Sequence, residues 1–291
     1  MVTFPSGHIR VYDSINLHRQ ALLPCFNERS KVHSVECTCS QIIALYEEGS
    51  ICSWAVKNGE LTARIWVRGS GGGDDLPFRM RYINSKLVVA TKEGTIHVYQ
   101  YINSTFTRLG CWHVTGILVS RIEFDLYYVI LQDVYTFAAQ VYYPNGEFVQ
   151  RIESNNVEAM AYHKGKLITG DKDQVLNIWE VRTGTLLHKL KGHNDAVDSI
   201  HIVEKNIVIS GSHSSGVFTV WDLTKVLGRN LEKNDGEQGD TTLALIIIPS
   251  RKLVVSKNDD VQHPVFHAGR NFIIGRTKSG FRVIDFPCEG S

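Results

Sequence analysis

An aromatic residue recurs about every 40 residues along this chain, and each time it closes a segment in which apolar and polar residues alternate. Successive aromatic positions are separated by 45, 43, 37 and 42 residues. A recurrence of this length is typical of arrays in which each repeat is a small sheet of four strands. The spacing therefore predicts an all-β chain of stacked sheets. The five positions are Trp54, Tyr99, Tyr142, Trp179 and Trp221.

The segments within each repeat have the composition of short antiparallel strands. Residues 197–202 (VDSIHI) alternate, residues 206–212 (NIVISGS) are rich in β-branched side chains, and residues 217–223 (VFTVWDL) alternate again. Gly, Asn, Asp and Ser between such segments predict tight turns, and no sustained helical period is present. Segments such as IIALY and LVVAT are continuously apolar, which predicts strands that are covered on both faces.

Two paired motifs connect this pattern to a known family. Gly192-His193 followed by Trp221-Asp222 resembles a WD repeat, and residues 168–181 (ITGDKDQVLNIWEV) are similar, with Glu180 in place of the Asp. The resemblance implies a WD-repeat β-propeller that occupies residues 1–291 as a single domain, with seven blades preferred and eight possible. The segments SGHIRVYD and GFRVIDF each look like the third strand of an incomplete terminal blade. A start in mid-blade, within a longer protein, is an open alternative.

The resemblance also implies a structural role for some residues. In this family the Gly-His histidine, an Asp in the tight turn, a Ser or Thr and the Trp form a hydrogen-bonded network. Ser214 replaces the turn Asp after His193, and Asn155-Asn156 replace Gly-His before Asp173, so we expect incomplete networks in both repeats. The expected signature residues are Gly192, His193, Asp173, Trp54, Trp179, Trp221 and Asp222.

Composition limits the kinds of partner. The net charge is +1, so the chain has no overall field that would attract nucleic acid or an anionic membrane. The longest apolar run, residues 243–249, is too short to cross a bilayer, and residues 1–13 lack the pattern of a signal peptide. Cys37-Thr38-Cys39 lacks the spacing of a zinc knuckle, so we expect reduced cysteines in a cytoplasmic or nuclear protein.

Sequence signatures of catalysis are missing. We find no nucleophile elbow, zinc-protease motif or phosphate-binding loop, and the Gly-rich residues 68–75 are predicted to form a flexible loop. The acidic pairs Glu47-Glu48, Asp74-Asp75 and Asp259-Asp260 lie in predicted turns, where we expect exposure to solvent and not the burial that general acid catalysis needs. We therefore expect no catalytic residue, metal or cofactor. A hydrolase on a propeller remains the alternative, and it would need carboxylates on the inner strands.

The strongest candidates for a binding role lie at the starts of the predicted innermost strands. In WD-repeat propellers these positions surround one face, where partner peptides dock. Three arginines there would suit an acidic or phosphorylated peptide, because guanidinium groups bind such anions through paired hydrogen bonds. A rim of mixed charge without a dedicated ligand is the alternative. The candidates are Arg79, Arg81, Arg121, Glu158 and Asp198.

These observations predict a non-catalytic scaffold that binds other proteins. The compact turns in YHKGKLITG and RYINSKLVVAT resemble those of F-box/WD-repeat proteins and related substrate receptors of ubiquitin ligases. That resemblance implies recognition of a degradation signal, often a phosphorylated one. A subunit of an assembly or trafficking complex, without any role in ubiquitin transfer, is an equal alternative.

Overall fold

The structure is a computed structural model. It describes residues 2–3, 9–12, 19–23, 30–223, 267–268, 272–277 and 280–285. Within 30–223 it leaves out residues 39, 70–74, 155, 205–206 and 213–216. Its backbone contacts divide the chain into two compact units, Met1–Val149 and Gln150–Ser291. Each unit is described by itself, and the single-domain interpretation stays a prediction.

The first unit contains antiparallel sheets in sequence order. Strands β1 (Val2–Thr3), β2 (Ile9–Tyr12) and β3 (Arg19–Leu23) form the first sheet. The second comprises β4 (Val32–Cys37), β5 (Gln41–Tyr46), β6 (Ser50–Ala55) and β7 (Leu61–Trp66). The third comprises β8 (Pro77–Ile83), β9 (Lys86–Thr91), β10 (Thr95–Ile102) and β11 (Thr105–His113). The fourth comprises β12 (Val119–Phe124), β13 (Val129–Asp133), β14 (Ala139–Tyr142) and β15 (Phe148–Ile152), and β15 continues past Val149, the last residue of the first unit.

The second unit continues the same pattern. Strands β16 (Val157–His163), β17 (Lys166–Asp171), β18 (Val175–Glu180) and β19 (Thr185–Lys191) form a four-stranded sheet. Strands β20 (Ser199–Glu204), β21 (Ile207–Ser212) and β22 (Val217–Asp222) form a three-stranded sheet. Another three-stranded sheet contains β23 (His267–Ala268), β24 (Phe272–Thr277) and β25 (Gly280–Asp285). Among the described residues only Leu223 is helical, so the all-β prediction is confirmed.

The aromatic residues that recur along the sequence occupy the same position in each sheet. Each of the five aromatic residues lies on the third strand of its sheet and pairs with an apolar residue of the second strand. The sequence spacing therefore measures the distance from one sheet to the next. The pairs are Trp54 with Ile42, Tyr99 with Leu87, Tyr142 with Val129, Trp179 with Leu167 and Trp221 with Val208.

The second strands are buried on both faces, as their continuous apolar character predicts. In β9, Leu87 and Val89 pack into a cluster shared with the second sheet, whereas Val88 and Ala90 pack into a cluster shared with the fourth. This division follows from the alternation of side chains along a strand. Outer strands such as β7 are only partly covered, because they alternate between exposed and half-buried residues.

The terminal sheets differ in detail from the sequence expectation. Segment IRVY was expected to follow two missing strands, but β1 precedes it and pairs with it. Segment GFRVID is the third strand of its sheet, as predicted. Both of these sheets contain three strands among the described residues, and the incompleteness of the terminal blades stays a prediction. Residues 252–260 (KLVVSKNDD), whose composition predicts an inner strand, and the polar residues 231–240, which are predicted to form a loop, lie outside the described residues. The number of blades stays a prediction.

Candidate partner-binding site

A β-bulge recurs near the start of the first strand in four sheets. Register shifts occur between Val32 and Ser34, Pro77 and Arg79, Val119 and Arg121, and Val157 and Ala159. A bulge inserts one unpaired residue and redirects the side chains beside it. Two predicted site residues, Arg79 and Arg121, directly follow the bulged residues of β8 and β12.

Arg79 is fixed in place by contacts on two strands. Its Nε atom donates a hydrogen bond to the carbonyl oxygen of Ser120 at 2.9 Å, and Nη1 donates to that of Phe78 at 3.0 Å. Its Cζ atom lies 4.0 Å from the centroid of the Phe78 ring, within the range of a cation–π contact. The bond to Ser120 ties Arg79 to the residue that precedes Arg121 on β12.

The two arginines form a cationic pair. Burial lowers the pKa of Arg79, and the charge on Arg121 lowers it further. The same repulsion reaches His33, whose pKa is lowered by burial and by the charges of Arg79 and Lys92, although Glu47 opposes the shift. An anion placed between the two guanidinium groups would be attracted by both charges and would offset their mutual repulsion. We call Arg79 and Arg121 the arginine pair.

Arg81 has a different environment, because it lies between two carboxylates. Its Nη1 atom is 3.3 Å from Glu36 Oε1, and its Nη2 atom is 3.5 Å from Glu123 Oε1. The glutamate side chains are only 19% and 13% exposed. Burial opposes the charge on Arg81, but Glu123 and Glu36 raise its pKa overall. Arg81 therefore already has two counter-ions within the protein.

Burial also changes the two glutamates. It raises the pKa of Glu123 to about 7 and raises that of Glu36, and Arg81 opposes both shifts. Sequence reasoning missed these residues because it searched the apolar second strands for acids. The signal that would have found them is register. Glu36, Arg81 and Glu123 pair with Ile43, Val88 and Ile130, which occupy the same position in three successive second strands.

The acidic candidates lie in the second unit. Oε1 of Glu158 is 3.1 Å from Lys172 Nζ. Asp198 precedes β20, and its backbone N–H donates to the carbonyl oxygen of Gly211 at 3.2 Å. Of the five predicted site residues, Arg79, Arg81 and Arg121 lie on adjacent strands of the first unit, and the binding role of all five stays a prediction.

Two repeats contain part of the signature network. His193 Nε2 and Ser210 Oγ are 2.6 Å apart, and Trp221 Nε1 donates to Ser210 Oγ at 2.7 Å. Trp179 Nε1 similarly donates to Thr169 Oγ1 at 2.9 Å. Gly192 is exposed beside His193, and Asp222 is the final residue of β22. Ser214 lies outside the described residues.

Trp54 lacks this bond. Its ring is fully buried, and its Nε1 atom has no hydrogen-bond partner. Trp54 lies on β6, and Ala44 of the neighbouring strand β5 occupies the position that Thr169 and Ser210 hold in their sheets. A methyl group cannot accept a hydrogen bond, so this repeat loses the link between its second and third strands.

The turn acids are arranged differently from the family pattern. Asp173, the expected network member, is exposed. Asp171 is buried instead, and it accepts hydrogen bonds from the Val175 N–H and from Asn177 Nδ2, both at 2.9 Å. Asp75, which precedes the third sheet, is another buried aspartate with a related role.

Asp75 was expected in a solvated turn, and that expectation was wrong, because the residue is only 2% exposed. Its Oδ2 atom accepts hydrogen bonds from the hydroxyls of Thr91 at 2.9 Å and Thr95 at 3.0 Å. Its Oδ1 atom accepts from the Glu93 N–H at 2.9 Å. Asp75 thus joins the end of the Gly-rich segment to the turn between β9 and β10.

The bond between Thr169 and Trp179 provides a test of the signature network. Thr169→Val removes the acceptor while keeping the shape of the side chain, so the indole N–H of the half-buried Trp179 loses its partner. We expect the free energy of unfolding to fall by about 1–2 kcal/mol, measured by urea denaturation. Thr169→Ser keeps the hydroxyl and should retain more stability than Thr169→Val. Equal losses in the two variants would show that the hydrogen bond contributes nothing.

Metal ligation and membrane crossing find no support in the part of the chain that is described. No group of three or more His, Cys, Asp and Glu side chains there is arranged to hold a metal ion. No described helix is long and apolar enough to span a membrane.

Comparison with known proteins identifies similar repeats and a similar fold, whereas no family model matches the chain. The chain is 39% identical over 61 residues to the DENN domain and WD repeat-containing protein SCD1 of Arabidopsis thaliana, covering 21% of this chain and 5% of SCD1. It is 36% identical over 67 residues to Cell division control protein 4 of Saccharomyces cerevisiae, covering 22% of this chain and 9% of that protein. The matches therefore span less than a tenth of either relative.

A solved structure covers almost the whole chain. The WD40 β-propeller domain of Doa1 superposes with a TM-score of 0.64 at 11% identity, covering 99% of this chain and 88% of that domain. At this identity the likeness shows the fold alone. The sequence resemblance to WD repeats and the β-propeller fold that it implied are confirmed.

Proposed function

We propose that this chain, a WD-repeat β-propeller, is a non-catalytic interaction platform whose arginine pair binds an acidic segment of a partner protein. WD40 propellers generally support such a scaffold role, and the fold holds loops and strand ends in fixed positions. The observation that carries the proposal is the hydrogen bond from Arg79 Nε to the carbonyl oxygen of Ser120, which ties Arg79 to the residue that precedes Arg121.

The chemistry of the pair favours an anionic group. Arginine presents several N–H donors in one plane, and these match the oxygen atoms of a carboxylate or phosphate. Arg79 uses Nε and Nη1 for backbone carbonyls, so its Nη2 atom is not engaged by those two bonds. The bonds also restrict the side chain before a ligand arrives, which reduces the entropy that binding would cost.

Arg81 has a lesser part in this proposal. Because Glu36 and Glu123 both lie within 3.5 Å of its guanidinium group, an incoming anion would compete with them. The sequence analysis left a rim of mixed charge, without a dedicated ligand, as an alternative. The environment of Arg81 fits that alternative well. The arginine pair combines both effects, because its two cations repel each other and Arg121 is also attracted by Glu123.

The cellular role is open between two forms of this platform. In one, the chain is a substrate receptor of a ubiquitin ligase, and the acidic segment is a phosphorylated degradation signal. In the other, it is a subunit of an assembly or trafficking complex, and the segment belongs to a permanent partner. We place both in the cytoplasm or nucleus, without a cofactor. The arginine pair supports an anionic ligand in either case.

Affinity capture from cell extract, followed by mass spectrometry, tests the proposal. Tagged wild-type chain is compared with the double variant Arg79→Glu and Arg121→Glu, which reverses the charge of the site. We expect recovery of the bound protein to fall at least about tenfold, because like charges then face each other. Arg108→Glu, on the exposed part of outer strand β11, is the matched control and should leave recovery unchanged.

The identity of the captured proteins separates the two roles. A ligase scaffold together with a short-lived client indicates the receptor role, and a stable stoichiometric complex indicates the assembly role. Unchanged recovery by the double variant contradicts the proposed binding site.

A further inference from the structure

Glu36, Arg81 and Glu123 form a row across three adjacent strands, with one cation between two anions. We call this row the charge ladder. Arg81 reaches both glutamates, at 3.3 Å and 3.5 Å, and both carboxylates are largely buried. Two negative charges therefore share a single positive charge where water gives little screening. One end of the ladder, Glu123, lies on the same strand as Arg121 and two residues after it.

We propose that the charge ladder couples anion binding at the arginine pair to the protonation of Glu123, so that an acidic partner segment binds together with a proton. This inference rests on the proposed function, because it concerns the same pair. It adds that the arginine pair binds an anion more tightly when Glu123 is neutral. The proton goes to a carboxylate oxygen of Glu123, and no covalent bond of the ligand changes.

The charged groups around Glu123 determine the direction of the coupling. Arg81 faces it from β8, Glu36 acts on it from β4 through Arg81, and Arg121 lies on its own strand. The neighbouring strand β13 presents the apolar Ile130 at the paired position. From β9, Val88 and Ala90 pack with residues of β12 into an apolar cluster. Among these described neighbours the charged groups are two arginines and one glutamate.

Ionised Glu123 competes with a ligand for the cations. Its negative charge attracts Arg121 and Arg81, so part of the field that an incoming anion would use is already neutralised. When Glu123 takes up a proton, Arg81 keeps Glu36 as its counter-ion and Arg121 loses a nearby negative charge. The arginine pair then attracts an anion more strongly. By linkage, an anion bound at the arginine pair favours the neutral carboxyl of Glu123. Removal of the anion makes ionisation of Glu123 easier.

Burial brings the titration of Glu123 into a pH range in which the coupling can be measured. It raises the pKa of Glu123 to about 7, so the carboxyl changes charge between pH 6 and pH 8. His33 is the neighbouring group that titrates closest to this range, but burial and Arg79 lower its pKa. Its charge change is therefore shifted away from pH 7, toward lower pH.

Inorganic sulfate is a suitable probe, because its charge stays constant between pH 6 and pH 8. Sulfate is titrated into the full chain at pH 6, 7 and 8, and binding is followed by NMR of the arginine side-chain Nε–H groups. We expect the dissociation constant to rise about threefold or more from pH 6 to pH 8, as one nearby charge appears. The resonances that shift should be those of Arg79 and Arg121.

Two variants identify the titrating group. Glu123→Gln mimics the neutral carboxyl, so it should bind sulfate at every pH about as tightly as the wild type does at pH 6. His33→Asn should retain the pH dependence of the wild type. Carbon-13 NMR of the Glu123 carboxyl in the wild type gives an independent measurement, because added sulfate should move its titration midpoint upward.

The possible outcomes separate the inference from the proposed function. Saturable binding at all three pH values with one constant affinity overturns the coupling and leaves the anion site intact. A pH dependence that survives in Glu123→Gln, or disappears in His33→Asn, also overturns it. Absence of sulfate binding at the arginine pair at every pH contradicts both proposals.

Discussion

Replacing Asp75 by alanine is expected to lower the free energy of unfolding by about 3 kcal/mol. The carboxylate accepts hydrogen bonds from two threonine hydroxyls and one backbone N–H, and all three bonds are 2.9–3.0 Å long. Alanine leaves these donors without their acceptor at a site where Asp75 itself is only 2% exposed. Loss of one partner of a buried polar group typically costs about 1–3 kcal/mol, and bonds to a charged group cost more. Urea denaturation followed by fluorescence measures the change.

Asp173→Ala is the matched control for Asp75→Ala. Asp173 is exposed, so its removal should change the free energy of unfolding by no more than about 0.5 kcal/mol. Asp75→Asn should have an intermediate effect, because the amide keeps one oxygen acceptor and replaces the other with a donor. If Asp75→Ala and Asp173→Ala had the same effect, the buried network around Asp75 would not be a source of stability.

Acidification is expected to destabilise the second unit through His193. Burial lowers the pKa of His193 to about 4, although Asp198 and Asp195 oppose the shift. The folded state therefore keeps the imidazole neutral at pH values where the unfolded chain, with a pKa near 6.5, binds a proton. Stability is fully present above pH 6.5 and falls as the pH decreases toward 4. The total loss is about 3 kcal/mol, since each pKa unit corresponds to about 1.4 kcal/mol.

Comparison with His193→Gln isolates this contribution from other titrating groups. At pH 7.5 the variant should be about 2 kcal/mol less stable than the wild type, because the bond to Ser210 is disturbed. At pH 5 the difference between the two free energies of unfolding should be smaller by about 2 kcal/mol. Only the wild type is destabilised by acid through His193, because the glutamine of the variant does not titrate. Chemical denaturation at a series of pH values provides the measurement. A difference that does not vary with pH would show that His193 is not kept neutral by folding.

The features of the fold that repeat could be predicted from the sequence. Trp54 and Trp179 are 125 residues apart, yet each occupies the third strand of its sheet and faces the first apolar residue of the second strand. A strand pattern that is ambiguous in one segment is supported by its recurrence in the other repeats, because every sheet must meet the same packing requirement on both faces. Segments LVVAT and IIALY were therefore recognisable as covered strands.

Features that depend on a single side chain were harder to predict. Asp75 follows a Gly-rich segment and has the composition of a solvated turn, but two threonines distant in sequence enclose it. Glu36 and Glu123 are also unremarkable as sequence. Only the alignment of three bulged strands brings their carboxylates to the two sides of Arg81. Burial by neighbouring sheets, which raises the pKa values of Glu36 and Glu123, has no local signature in the chain.

Titration of the purified chain with an acidic peptide is the most direct test of the central claim that the arginine pair binds an anionic segment. Isothermal calorimetry would compare a phosphoserine peptide with the same peptide carrying unmodified serine. We predict saturable binding of the phosphorylated peptide alone, loss of that binding in the double variant Arg79→Glu and Arg121→Glu, and full retention in Arg108→Glu. Equal affinity of the wild type and the double variant for the phosphorylated peptide would contradict the claim.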